Sequence, residues 1–215
     1  MKLEWARTQL AEWGRQMSRE GLCPGTSGNL SVYDPAEGLL AIAPSGVPYD
    51  AVTPGDIVVT DLDGRILEGE RKPSSEWALH AILCRRHPAA RAVVHTHSVY
   101  CTTLAVLGLP IRPVHYAVAA AGVREVPCAP YRLFGTRELA EQAAETCGDG
   151  RAVLLGNHGL VVWGEDLPGA CALARDLEFV ARLQWQAMAV GAPNVLTAEE
   201  MDRAMVRFRT YGQGK

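Results

Sequence analysis

The sequence predicts one α/β or α+β domain built around a mainly antiparallel sheet, and three observations lead there. Short β-type runs are joined by hairpin turn signals. Amphipathic helical runs lie between and after them. No linker, low-complexity stretch or internal repeat divides the 215 residues, so a single domain over 1–215 is expected. A chain of this length buries a substantial core, and its 48% hydrophobic and 21% charged residues are ordinary for a globular protein.

Leu3, Ala6, Leu10, Trp13 and Met17 recur at three- and four-residue intervals, which predicts an amphipathic helix stopping near Gly21. Pro24-Gly25-Thr26-Ser27-Gly28-Asn29 is a Gly-rich turn leading into the alternating Leu30-Ser31-Val32-Tyr33. Asp34-Pro35-Ala36-Glu37-Gly38 then turns the chain back through Leu39-Leu40-Ala41-Ile42-Ala43, a hairpin. Asp63-Gly64, between Ile57-Val58-Val59-Thr60 and Arg65-Ile66-Leu67, signals a second. Residues 76–86 read as a helix ending before Pro88, and Ala92-Val93-Val94 as a strand. Short strands are expected near 111–114 and 125–126, a helix over 137–147, and strands over 152–155 and 160–163. A long helix over 168–191 starts at a proline, and Thr197-Ala198-Glu199-Glu200 opens the last helix with a capping-box pattern.

Bulk charge narrows the partners. The net charge of −3 gives no broad electrostatic case for nucleic acid or a membrane surface. Arg85-Arg86 and Arg203, Arg207, Arg209 are interspersed with acids and read as solvated helix faces. Met1-Lys2-Leu3-Glu4-Trp5 lacks a signal-peptide apolar stretch, and no run approaches the ~18 apolar residues of a membrane span, so a cytoplasmic location is expected. The six cysteines are scattered without a Cys-x-x-Cys pair and are most simply small buried residues.

The chemistry-bearing residues begin with His95-Thr96-His97 at the end of the Ala92-Val93-Val94 run. Side chains at i and i+2 of a strand share a face, so both imidazoles can converge on one ion. His158, in Gly156-Asn157-His158-Gly159, likewise follows an apolar strand. Three histidines with an open fourth position suit a catalytic zinc, whereas structural zinc closes its shell with four protein ligands. Alone, the His-x-His is a weak signal that ordinary strand-end histidines explain more simply.

Three small-polar loops accompany them: Thr26-Ser27-Gly28-Asn29, Pro44-Ser45-Gly46, and Lys72-Pro73-Ser74-Ser75-Glu76 at a helix start. Free N–H groups at a helix N-terminus, with hydroxyls nearby, make a natural phosphate seat, although Ser74 or Ser75 as a helix N-cap explains itself without any ligand. Glu76 reads as a first-turn acid complementing the helix dipole or as a metal-site ligand or general base. His80 is one turn further on the same face, either a neighbour of the site or a packed helix histidine.

Taken together and in order, these motifs resemble the class II aldolase/adducin-like family. The resemblance runs from about Gly25 to Gly212. It rests on Gly-Thr-Ser-Gly-Asn, Pro-Ser-Gly-Val-Pro-Tyr, Lys-Pro-Ser-Ser-Glu-Trp, Val-Val-His-Thr-His-Ser and His115-Tyr116-Ala117-Val118-Ala119-Ala120-Ala121-Gly122. It continues through Val126-Pro127-Cys128-Ala129-Pro130-Tyr131, Phe134-Gly135-Thr136-Arg137-Glu138-Leu139, Asn157-His158-Gly159-Leu160 and Phe208-Arg209-Thr210-Tyr211-Gly212.

The resemblance implies a three-layer α/β/α subunit with a mainly antiparallel central sheet, in a fourfold homotetramer with active sites between neighbours. It implies one Zn2+ per subunit on His95, His97 and His158, and Glu76 as catalytic acid/base. Thr26, Gly28, Asn29, Ser45, Gly46, Ser74 and Ser75 take the positions that hold the substrate phosphate. Tyr116 and Tyr211 take those of tyrosines offered by a neighbouring subunit, and Phe134 and Phe208 those of pocket-wall aromatics. Ser27, Ser45 and Asn157 are small departures that could tune the pocket.

The activity so implied is reversible retro-aldol cleavage of a ketose 1-phosphate, either L-fuculose 1-phosphate or a 5-deoxypentulose 1-phosphate. The products are dihydroxyacetone phosphate and lactaldehyde or acetaldehyde. A ribulose-phosphate 4-epimerase on the same scaffold is the alternative, but that pattern has Asp after the serine pair where this chain has Glu76. A methylthioribulose-phosphate dehydratase fits less well for want of a Ser-Ser-Glu segment. A non-catalytic adducin-like interaction module lacks the metal histidines present here, and no Gly-x-Ser-x-Gly elbow points to a serine hydrolase.

Overall fold

The structure, a computed structural model, describes residues 1–208 and 210. Its strands are β1 (Asn29–Asp34), β2 (Leu39–Ile42), β3 (Val58–Thr60), β4 (Ile66–Glu68), β5 (Ala92–Thr96), β6 (Cys128–Ala129), β7 (Ala152–Leu155) and β8 (Gly159–Gly164). The helices are α1 (Glu4–Arg19), α2 (Trp77–Arg86), α3 (Val99–Val106), α4 (Arg137–Cys147), α5 (Leu167–Val190) and α6 (Ala198–Phe208). All eight strands join one sheet in the order β4-β3-β2-β1-β5-β8-β7-β6. Only β6 and β7 run parallel; every other neighbouring pair of these strands is antiparallel, as the hairpin signals predict.

Alternation along the strands sends side chains to two separate apolar clusters. In β5, Ala92 and Val94 join one cluster, with α1, α3, α5 and α6. Val93, between them, joins the other, where α2 and α4 pack with Leu40, Val153, Val161 and Trp163. By the same period, His95 faces the α2 side.

Three differences from the sequence reading have physical causes. The strands expected near 111–114 and 125–126 reduce to a single antiparallel bridge between Ile111 and Val126. Pro110, Pro113 and Pro127 flank it and have no N–H to extend a ladder. Helix α3 was not foreseen, because Val-Tyr-Cys-Thr-Thr carries weak helix preference. Its N-terminus is satisfied from far away: Tyr100 and Cys101 donate their backbone N–H groups to the two carboxylate oxygens of Glu178 in α5, each at 2.9 Å. Helix α2 starts at Trp77 with Glu76 as its N-cap residue, so Glu76 stands at the threshold of the helix rather than inside it. The capping box at Thr197 forms as expected, Thr197 N–H donating to Glu200 and Glu200 N–H to the Thr197 hydroxyl.

Candidate metal centre and active site

The central strands bring the histidines together. In register, Asn29 of β1 lies opposite His95 of β5, and His95 opposite Val161 of β8. The β7–β8 turn carries His158 to the same end of the sheet, and His97 follows β5 directly. Asn157 takes a left-handed conformation (φ 53°) to make this turn, a geometry asparagine tolerates better than most residues. Gly159 must be glycine: a Cβ there would sit 2.2 Å from the carbonyl oxygen of Thr96.

His95, His97 and His158 form a three-sided cup. Their ring centroids lie 4.8–4.9 Å apart, with interplanar angles of 71°, 76° and 81°. Glu76 closes the fourth side: its Oε2 is 3.2 Å from His95 Nε2 and its Oε1 3.4 Å from His158 Nε2. One donor atom from each of these four residues lies within 4.8 Å of the others.

The donor chemistry fits a metal ion. His95 Nδ1 lies 2.9 Å from the carbonyl oxygen of Leu160, which only accepts, so the proton sits on Nδ1 and the lone pair of Nε2 faces the cup. That Nε2 is 3.0 Å from His97 Nε2. Two lone pairs this close repel unless a proton or a cation lies between them. Glu76 Oε1 is buried without a hydrogen-bond partner, a cost that a cation would relieve. Burial holds His97 and His158 down at about 4, helped by the charge of His95, so both are neutral donors at neutral pH. His95 is also disfavoured by burial as a cation, but the Glu76 carboxylate outweighs this and raises it. Burial works against the Glu76 anion too, and the imidazoles of His95 and His158 with the Asn29 amide hold it well below the usual carboxylate range. A divalent cation in the cup would take the place of the second proton, on His95 Nε2, that the Glu76 carboxylate favours, and would leave the Nδ1 proton directed at the Leu160 carbonyl.

A cavity of about 410 Å³ opens on this cluster. Thr26, Gly28, Asn29, Ser45, Gly46, Ser74 and Ser75 all line it, with Glu76, His97, His158 and Phe134. The three small-polar loops therefore meet at one cavity, beside the N-terminal end of α2. Ser74 is tied down by accepting the backbone N–H of Glu76 at 3.2 Å. Asn29 presents its amide to Glu76, Nδ2 donating to Oε2 at 3.1 Å.

Tyr116 and Phe208 lie elsewhere in this chain, 6.3 Å apart between ring centroids, lining a second cavity with His115, Phe179 and Arg207. Tyr116 is 58% exposed there. Tyr211 falls outside the described residues. The sequence reading gives no site role to Tyr131, although it ends one of the family-like motifs, or to Arg132; both line the first cavity. Both sit in a loop after β6, where no spacing or turn signal distinguishes them.

Comparison with known sequences settles the family. The class II aldolase and adducin N-terminal domain pattern matches residues 8–185. The chain belongs to that family. The class II aldolase relatives include a 5-deoxy-D-ribulose 1-phosphate aldolase of Bacillus thuringiensis serovar kurstaki (strain HD73), 43% identical over 213 residues, covering 99% of this chain and 100% of the relative. An L-fuculose phosphate aldolase of Escherichia coli O6:H1 is 42% identical over 206 residues, covering 95% of this chain and 94% of its own. Among solved structures, an L-fuculose 1-phosphate aldolase superposes with a TM-score of 0.94 at 38% identity, over 97% of this chain and 98% of that one. This class II aldolase is accordingly an enzyme, a lyase, and the histidine–glutamate cup is its candidate metal centre.

Proposed function

We propose that this enzyme cleaves a ketose 1-phosphate reversibly to dihydroxyacetone phosphate and a short aldehyde, with zinc as its metal. The observation that carries the reading is the opening of the Glu76-His95-His97-His158 cup into a cavity walled by neutral phosphate-seat loops. A zinc ion on the three imidazoles supplies Lewis-acid polarisation of substrate oxygens.

The chain's own residues do the rest. Hydroxyls of Thr26, Ser45, Ser74 and Ser75, backbone N–H groups near Gly28 and Gly46, and the start of α2 hold the phosphate as a remote anchor. That anchor fixes C3 and C4 of the sugar in the cavity. In cleavage the C3–C4 bond breaks, the C4 hydroxyl loses its proton as C4 becomes the aldehyde carbon, and C3 takes up a proton. Glu76 carries the C3 proton, giving it in cleavage and taking it in condensation. Its Oε1 suits that role, being buried without a hydrogen-bond partner in a residue that lines the cavity. Tyr116, from a neighbouring copy, handles the C4 hydroxyl proton; Tyr211 is the second tyrosine assigned to the aldehyde end by the family resemblance, and Phe134 and Phe208 bound that end.

The same reading makes the chain a single domain of three-layer α/β/α form in a cytoplasmic homotetramer. Tyr116 and Phe179, both exposed and lining one cavity with Phe208, support self-association, since contiguous apolar surface marks interaction sites. The relatives' names support two substrates, L-fuculose 1-phosphate and 5-deoxyribulose 1-phosphate. They differ at the aldehyde end by a few pocket contacts, worth ~1–3 kcal/mol for a methylene-sized change.

The test is release of dihydroxyacetone phosphate from each sugar phosphate, with and without a chelator. Chelator-sensitive release from either is expected, and the ratio of kcat/KM values names the better substrate. No release from a preparation that holds metal would overturn the aldolase reading and favour the 4-epimerase.

A further inference from the structure

Behind Glu76 lies a buried polar chain that the cleavage mechanism does not use. His80 and Ser31 are both fully buried. His80 Nδ1 is 2.7 Å from Ser31 Oγ, and its Nε2 is 2.5 Å from Asn29 Oδ1. Asn29 Nδ2 in turn reaches Glu76 Oε2 at 3.1 Å. Two elements interleave to build it. Glu76 and His80 stand one turn apart at the start of α2, and Asn29 and Ser31 stand two apart on one face of β1.

The direction of every bond follows from Glu76. A carboxylate only accepts, so the NH2 of Asn29 faces it and the amide oxygen faces His80. That oxygen also only accepts, so His80 carries its proton on Nε2. Nδ1 is then a bare lone pair, and the Ser31 hydroxyl donates to it. Donors thus run one way, from Ser31 through His80 and Asn29 to the carboxylate. An asparagine amide alone is nearly symmetric in shape and could turn half-way round, setting Oδ1 against the carboxylate. A hydrogen on His80 Nε2 forbids that rotation. Chains of aligned donors also strengthen one another in a dry interior.

We infer that His80 is a positioning residue of this enzyme, selecting the Asn29 amide orientation that holds the Glu76 carboxylate toward the cavity. The inference rests on the acid/base reading of Glu76. A structural role alone would ask only that residue 80 fill its buried space between α2 and β1, and an apolar side chain does that without burying two polar nitrogens.

The experiment compares His80→Leu, which removes the donor, with His80→Gln, whose amide nitrogen can reach Asn29 Oδ1. Metal content and folding are checked in each, and kcat and KM are measured for the better sugar phosphate. His80→Leu is expected to lower kcat about 10- to 100-fold with KM little changed, and His80→Gln to recover most of it. Undiminished kcat in His80→Leu, or His80→Gln as slow as His80→Leu when both fold and hold metal, overturns the inference.

If His80→Leu does not fold, Ser31→Ala leaves the packing in place. It is expected to lower kcat severalfold, and wild-type kcat there also overturns the inference. Independently of activity, 15N NMR of histidine-labelled metal-free protein is expected to show His80 as the Nε2–H tautomer; the Nδ1–H tautomer overturns the chain. A wild-type protein with that tautomer but no aldolase activity sinks the functional reading and leaves the hydrogen-bond chain standing.

Discussion

Glu76 differs from an ordinary first-turn acid in what its two oxygens meet. Oε2 is bound by Asn29 and faces His95, whereas Oε1 has no hydrogen-bond partner and faces His158. Glu76→Gln keeps the shape and removes the titrating oxygen. We expect it to fold normally and to lose at least about 100-fold in the rate at which deuterium washes out of C3 of dihydroxyacetone phosphate. Exchange at the wild-type rate would move the proton-carrying role to another residue. At this scale much was legible in the sequence: the i, i+2 histidines, the third histidine after a strand, and an acid beside two serines. The Asn29 side chain was not. Its position in a turn said nothing of an amide aimed at Glu76, because that contact joins β1 to α2 across 47 residues.

The strand ends set the precision of the site, and β8 shows how little room they leave. Gly159 lies against the backbone of β5. An added Cβ would meet the Thr96 carbonyl oxygen at 2.2 Å and His97 Cδ2 at 3.3 Å. Backbone cannot step aside as a side chain can, so Gly159→Ala must spread β8 from β5. It should lose about 1–3 kcal/mol of stability, read from the denaturant midpoint, and bind metal more weakly, read by chelator competition. Wild-type values on both counts would mean that the β5–β8 spacing is not fixed by this contact. Element existence was largely readable, since hairpin signals and helical periods are local. Helix α3 was hidden because its capping carboxylate, Glu178, comes from α5. The strands at 111–114 and 125–126 looked β-like in composition, but the prolines around them left only one bridge.

Across the whole molecule, the histidines make acid the vulnerable direction. Burial first, and then neighbouring charge, lowers His97 and His158 to about 4 and His80 to about 3, from an ordinary 6.5. Between these values and 6.5 the unfolded chain binds more protons than the folded one, so stability falls as pH falls through that window. Burial also lowers His87, and only His95 of these histidines is raised, contributing the opposite slope above 6.5, one group against four. The metal-free protein should therefore show a lower urea midpoint at pH 5 than at pH 7.5, and metal should be released over the same range as protons compete for the imidazoles. A midpoint that rises on acidification would show that His95 dominates.

The sequence by itself determined the mainly antiparallel α/β class, most helices and hairpins, the three histidines and the polar loops. These are carried by local periods, turn residues and short spacings. Ordered motifs along nearly the whole chain also carried the family. Only the tertiary structure decided that the loops at 26–29, 45–46 and 74–75 meet at one cavity, that Glu76 closes the histidine cup, and that His80 stands behind Asn29. It also decided that Tyr116 and Phe208 lie at a separate cavity of the same chain. The reason is physical: residues tens of positions apart become neighbours through strand register and helix packing, and neither leaves a trace in local sequence.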